Sequence, residues 1–191
     1  MKDWIEKIFQ EKNELLNQIK LTGYLEKVEL AGKELVSCLQ SNGKILLAGN
    51  GGSAADAQHF AGEIVGRFTM ERKSLPAISL CVDPSVMTCI GNDYGYEQVF
   101  ARQIEGLGNP NDIFIGISTS GNSKNIIEAI EAAKNKNMKT ICLLGKDGGQ
   151  IKSICDYALV VPSNCTPRIQ EVHTFTVHIL CQLIEKEIFG N

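Results

Sequence analysis

Four hydroxyl side chains fall within the six residues Ser118-Thr119-Ser120-Gly121-Asn122-Ser123, directly after a short apolar run. At a strand-to-helix junction, hydroxyls and free amides beside a helix N-terminus can cradle a phosphate dianion. One serine would be enough to cap the helix, so this cluster exceeds what capping needs. A second polar turn reads Gly49-Asn50-Gly51-Gly52-Ser53. Its glycines permit a sharp bend and close approach of backbone to a ligand, and Ser53 is placed to cap the helix that follows. The plain alternative is a tight turn with no ligand. The glycine spacing is not the G-x-G-x-x-G of dinucleotide sites.

His59 and Glu63 stand four residues apart and so share one helical face. Such a pair can be a surface contact, part of a metal site, or a carboxylate base beside an imidazole. Near the C-terminal end Gln170, Thr174 and His178 also step by four, a polar stripe on an otherwise apolar helix that points to a wet pocket. His173 projects from another part of the same helix. These are the chain's three histidines.

The elements that must position these residues alternate in type. Apolar positions at helical spacing predict helix from residue 3 to about 41, broken near Thr22-Gly23. Apolar runs at 44–49, 77–82, 112–117, 140–144 and 157–161 predict buried strands. Helical stretches at 53–68, 85–107, 123–136 and 167–188 separate or follow them. Strands alternating with helices imply an α/β fold with a parallel sheet covered on both faces. Both polar turns then fall at carboxyl ends of strands, where open α/β sheets bind ligands. The first 41 residues lie outside the alternation, which suits them to subunit packing.

A net charge of −3 with no block of like charge disfavours nucleic acid or an anionic membrane as partner. No apolar run approaches the ~18 residues a membrane span requires, and the start lacks a signal-peptide core. The 7 cysteines are scattered without a C-x-x-C pair. They read as reduced thiols of a cytoplasmic protein rather than as disulfides or a zinc–thiolate cluster.

Four runs, taken together and in order, resemble sugar isomerase (SIS) domains and, within them, the phosphoheptose isomerases. They are Gly49 through Glu63 (GNGGSAADAQHFAGE), Ile90-Gly91-Asn92-Asp93-Tyr94-Gly95, Gly116 through Ser123 (GISTSGNS), and Pro167-Arg168-Ile169-Gln170-Glu171-Val172-His173. The resemblance covers nearly the whole chain. It implies one SIS domain over residues 1–191, a five-stranded parallel sheet between helices in three layers. Residues 1–41 would help to build a homotetramer and 42–191 would form the α/β core. The implied reaction interconverts sedoheptulose 7-phosphate and D-glycero-D-manno-heptose 7-phosphate, supplying heptose for bacterial surface glycans. Residue by residue, the resemblance makes Glu63 the base and His178 its acid/base partner. It assigns Asn50, Gly51, Gly52, Ser53, Glu63, Asn92, Asp93 and Gln170 to the sugar, and Ser118, Thr119, Ser120 and Ser123 to the phosphate. It also implies one zinc ion per subunit at His59, Glu63, Gln170 and His178. A carboxylate that gives its lone pairs to zinc is a poorer base. Either the metal leaves Glu63 an unbound oxygen, or zinc acts structurally or as a Lewis acid. Some relatives carry aspartate where this chain has Pro167. A non-enzymatic branch of the family binds the bacterial replication initiator; it lacks the acid/base residues at the positions of Glu63 and His178, and this chain has both.

Overall fold

The computed structural model describes residues 1–190. Five apolar runs form a parallel sheet: β1 (Ile45–Gly49), β2 (Ala77–Ser79), β3 (Ile113–Ser118), β4 (Lys139–Gly145) and β5 (Tyr157–Val161), in the order β2-β1-β3-β4-β5. Every residue of β1 and β3 is buried, because helices cover both faces. Side chains alternate across a strand, and the two cores follow that period. Ile45, Leu47, Ile113, Ile115, Ile117 and Leu143 face α1 (Lys2–Lys20), α2 (Tyr24–Gln40), α3 (Gly52–Val65) and α8 (Thr166–Phe189). Leu46, Ala48, Phe114, Cys142 and Leu144 face α4 (Pro84–Tyr94), α5 (Ala101–Leu107), α6 (Lys124–Asn135) and α7 (Ile151–Ile154). Each Leu, Ile and Phe among them contributes roughly 1.5–3 kcal/mol by leaving water.

Several boundaries differ from the sequence expectation, for local reasons. Helix α3 ends at Val65, three residues early, because Gly66 closes it. The edge strand β2 stops at Ser79, where the chain turns. The stretch expected to be helical over 85–107 is split by Gly95, whose φ of +92° few side chains tolerate, and by a short 3-10 turn at Tyr96–Gln98. Helix α7 is too short to leave a periodic signal. The N-terminal region divides in two at Gly23 (φ +70°). Helix α2 belongs to the core, with Val28, Ala31 and Leu35 buried and Tyr24 sharing a 2.8 Å hydrogen bond with Thr176. Helix α1 buries only Leu15 and Ile19 and leaves Trp4, Ile5 and Phe9 exposed.

One topological fact positions the site. Strand β1 leads through α3, on one face, to β2; strand β3 leads through α6, on the other face, to β4. The chain therefore departs in opposite directions from two adjacent strands, with Gly49 paired to Ile117 at their carboxyl ends. A crevice opens at such a switch point, and ligands of open α/β sheets bind there. Both polar turns lie in it.

Candidate active site

The first turn is shaped by its glycines. Gly51 has φ +56° and serves as the N-cap of α3. Its carbonyl receives the amides of Ala54 and Ala55 at 3.0 and 3.2 Å. Ser53, expected to cap this helix, is instead buried within its first turn and caps nothing, because the bend at Gly51 already starts the helix at Gly52. A β-carbon at Gly52 would collide with the Gln170 amide of α8. Asn50 reaches across the crevice: its Nδ2 donates to Asn125 Oδ1 at 3.0 Å, and Asn125 Nδ2 donates back at 2.8 Å. The Tyr96 hydroxyl donates to Asn50 Oδ1 at 3.1 Å. These bonds fix the orientation of the Asn50 amide and staple the two turns together.

In the second turn three hydroxyls converge. Ser118 Oγ lies 2.9 Å from Ser123 Oγ and 3.4 Å from Ser120 Oγ. Ser123 is the N-cap of α6, yet its hydroxyl turns to Ser118 and leaves the first amides of α6 without a side-chain cap. Thr119 is half-buried beside them. Gly121 (φ +66°) packs so closely on the Gly148 carbonyl that no β-carbon fits there. Asn122 holds the following loop through Gln150, at 3.0 Å from its Oδ1. Hydroxyls, open helix amides and a rigid glycine support are the parts a phosphate site needs.

Helices α3 and α8 lie side by side and run the same way, which their contacts show in sequence. Gly52 meets Gln170, the Thr174 hydroxyl donates to Asp56 Oδ1 at 2.9 Å, and His59 meets His178 at 3.4 Å between their Nε2 atoms. Steps of four and three residues on α3, and of four on α8, keep these side chains on facing stripes. His59 Nε2 also lies 3.0 Å from Glu63 Oε1. One ligand atom from each of His59, Glu63 and His178 lies within 4.8 Å of the other two. Glu63 Oε2 makes no hydrogen bond among the described residues. Phe68 closes one side, its ring 5.2 Å from that of His178. Burial lifts the Asp56 carboxyl above its ordinary pKa, against the Thr174 bond and His59, which lower it.

The structure does not gather every residue that the sequence singled out. Gln170 is about two turns before His178 on α8, with its amide at the glycine turn rather than among the histidines. Asn92 and Asp93 are exposed at the end of α4, where Asn92 Nδ2 donates to Asp93 Oδ1 at 2.7 Å. His173 is fully buried, and its Nε2 donates to the Leu144 carbonyl at 3.0 Å, tying α8 to β4. Burial drives its pKa down to about 4 despite that bond, so it is neutral. Pro167 sits in the first turn of α8, where a missing N–H costs nothing.

Other residues emerge only here. Asn125 occupies the buried stripe of α6 with Ala129 and Ala133, and a polar residue at such a position could have been noticed. Glu185 likewise continues the stripe of Val177 and Cys181 on α8. Burial opposes its charge, but the amides of Phe68, Thr69 and Met70 and the Thr69 hydroxyl outweigh it and hold its pKa at about 2. Its partner Arg72 and the Tyr96 hydroxyl carry no signal in the sequence.

A parallel sheet with a hydroxyl-lined turn at its switch point defines the class: residues 8–145 match the SIS domain family. Over 191 residues the chain is 52% identical to a phosphoheptose isomerase of Sulfurimonas denitrificans, covering 100% of this chain and 96% of that protein. A Helicobacter pylori phosphoheptose isomerase is 54% identical over 184 residues, 96% and 95% of the two chains. The structure of a phosphoheptose isomerase from Neisseria gonorrhoeae superposes with a TM-score of 0.91 at 41% identity, covering 97% of this chain and 98% of that one. The chain belongs to the phosphoheptose isomerase family of SIS domains.

Proposed function

We propose that the chain interconverts sedoheptulose 7-phosphate and D-glycero-D-manno-heptose 7-phosphate, with Glu63 and His178 moving the protons. The observation that carries this reading is the shared register of α3 and α8, which sets His59, Glu63 and His178 against one another. An aldose–ketose exchange moves one proton between adjacent carbons and redistributes protons on their oxygens. Glu63 takes the proton from the carbon beside the carbonyl. The electron pair shifts to the carbonyl oxygen, which His178 protonates, giving an enediol. Glu63 returns its proton to the former carbonyl carbon while His178 removes one from the hydroxyl of the carbon first deprotonated, which becomes the new carbonyl. Positioned acid–base groups of this kind supply about 10²–10⁴-fold in rate.

Ser118, Thr119, Ser120 and Ser123 hold the phosphate in this reading. Asn50, the glycine turn with Ser53, and Gln170 meet the sugar, with Asn92 and Asp93 as further sugar contacts from α4. The Asn50–Asn125 staple keeps the two groups in fixed relation.

Two imidazoles and a carboxylate with mutually close donor atoms fit a zinc ion. His59, Glu63 and His178 would hold it, one ion per subunit, with Gln170 the fourth residue the family pattern adds. When bound it supplies Lewis-acid polarisation of the sugar oxygens. Glu63 has a second oxygen that His59 does not engage, which leaves it able to act as base. One SIS domain spans the chain in this reading. The exposed Trp4, Ile5 and Phe9 of α1 support assembly with further copies into a homotetramer. No helix among the described residues is long and apolar enough to cross a membrane, and the free thiols favour the cytoplasm.

The test is solvent deuterium incorporation during isomerisation, read by NMR. Glu63→Gln keeps the side chain's size and removes its basicity, so substrate should bind while turnover falls at least 100-fold, within the range such groups contribute, roughly 10²–10⁴. Wild-type turnover in that variant would sink the assignment.

A further inference from the structure

Glu63 sits on the last turn of α3, and that turn ends in an unusual way. The final carbonyls of any helix lack intrahelical partners. Gly66 closes α3 with φ −76° and ψ −106°, so no left-handed glycine cap forms. Arg72 folds back instead. Its Nη2 donates to the Glu63 carbonyl at 2.7 Å, and its Nη1 donates to Ile64, Gly66 and Lys73 carbonyls at 2.9, 3.3 and 3.0 Å. The Ser74 hydroxyl takes the Val65 carbonyl at 2.7 Å. Arg72 is itself held by Glu185 of α8, Nε to Oε1 at 3.0 Å, with both side chains only 1% exposed. Glu185 also accepts the amides of Phe68, Thr69 and Met70 at 2.8–3.0 Å, which fixes the segment that lays Phe68 on His178.

From this we infer that Arg72, anchored by Glu185, is a positioning residue for the reaction: it clamps the last turn of α3 so that Glu63 stays opposite His178. The inference rests on Glu63 being the base. A glycine cap would close a helix without burying two charges, and a buried ion pair is no efficient source of stability. Its fork does what a cap cannot. One rigid guanidinium binds the carbonyl of the reacting residue and, through Glu185, the helix that carries its partner. A lysine offers a single point charge and cannot span both.

The test pairs Arg72→Met with Glu185→Gln, which removes the charge that would otherwise be left alone while keeping an acceptor for the Phe68–Met70 amides. In the folded, assembled double variant kcat should fall about 10- to 100-fold, the cost of a misplaced reacting group. KM should stay put, because neither Arg72 nor Glu185 touches the serine turn or the elements that brace it. Unchanged kcat, or a change confined to KM, overturns the inference. Should the double variant not fold, Arg72→Lys keeps the buried charge and should show the same loss in kcat alone; wild-type kcat there is equally fatal. Glu63→Gln is run alongside. Wild-type turnover in it removes the base and the inference together, whereas an inactive Glu63→Gln beside a fully active Arg72→Lys overturns the inference alone.

Discussion

His173 should make the fold sensitive to mild acid, and Gln should cure it. The imidazole is wholly buried, with a pKa of about 4 against 6.5 for the free side chain. Its folded pKa is depressed, so the unfolded chain binds more protons between those values. The stability is fully present above 6.5 and drains away as pH falls toward 4. At about pH 5 the loss from this residue alone is roughly 2 kcal/mol, using about 1.4 kcal/mol per pKa unit. His173→Gln retains a donor for the Leu144 carbonyl and does not titrate. The assay is urea unfolding of both proteins at about pH 7.5 and pH 5, at one protein concentration. Comparing the two pH responses cancels the contribution of every other acid-sensitive group. The wild-type protein should lose about 2 kcal/mol more than the variant. An equal loss in both would show that His173 is not held neutral by burial, and the account of its site would fail.

Changing Ser118 and Ser120 together to alanine should raise KM for the sugar phosphate roughly 100-fold or more, since each lost charge-assisted bond is worth about 1.5–3 kcal/mol. Steady-state kinetics with unchanged KM would place the phosphate elsewhere. Purified protein should carry about one zinc ion per chain by elemental analysis, and His59→Ala should lose it because only two of the three gathered donors remain. Active wild-type protein without metal would remove zinc from the site.

Strand positions were legible because five apolar runs had no helical period and ended in turn residues. The serine and glycine turns were legible because hydroxyls and glycines exceed what plain turns use. What was hidden is of another kind. Arg72 and Glu185 are separated by 113 positions, and their contact exists only after α8 returns along α3. The helix break at Gly95 was obscured by apolar residues on both sides of it. The N-terminal helices divide in a way the sequence did not show. Their place outside the strand–helix alternation suggested a common role, whereas the periodic burial of Val28, Ala31 and Leu35 makes α2 part of the core.

The serine turn and the group of His59, Glu63 and His178 rest on separate foundations. The serine turn is braced by β3, α6 and the loop at Gly148–Gln150, while Glu63 and His178 belong to a pair of helices packed on the reverse side of the sheet. In the proposed reading, substitution of Glu63 and His178 can therefore erase conversion and leave the serine turn whole. In that reading, a descendant stripped of Glu63 and His178 would still seat a phosphorylated ligand at the serine turn. Such a protein would be a ready-made sensor, in which ligand occupancy, rather than product, is the output.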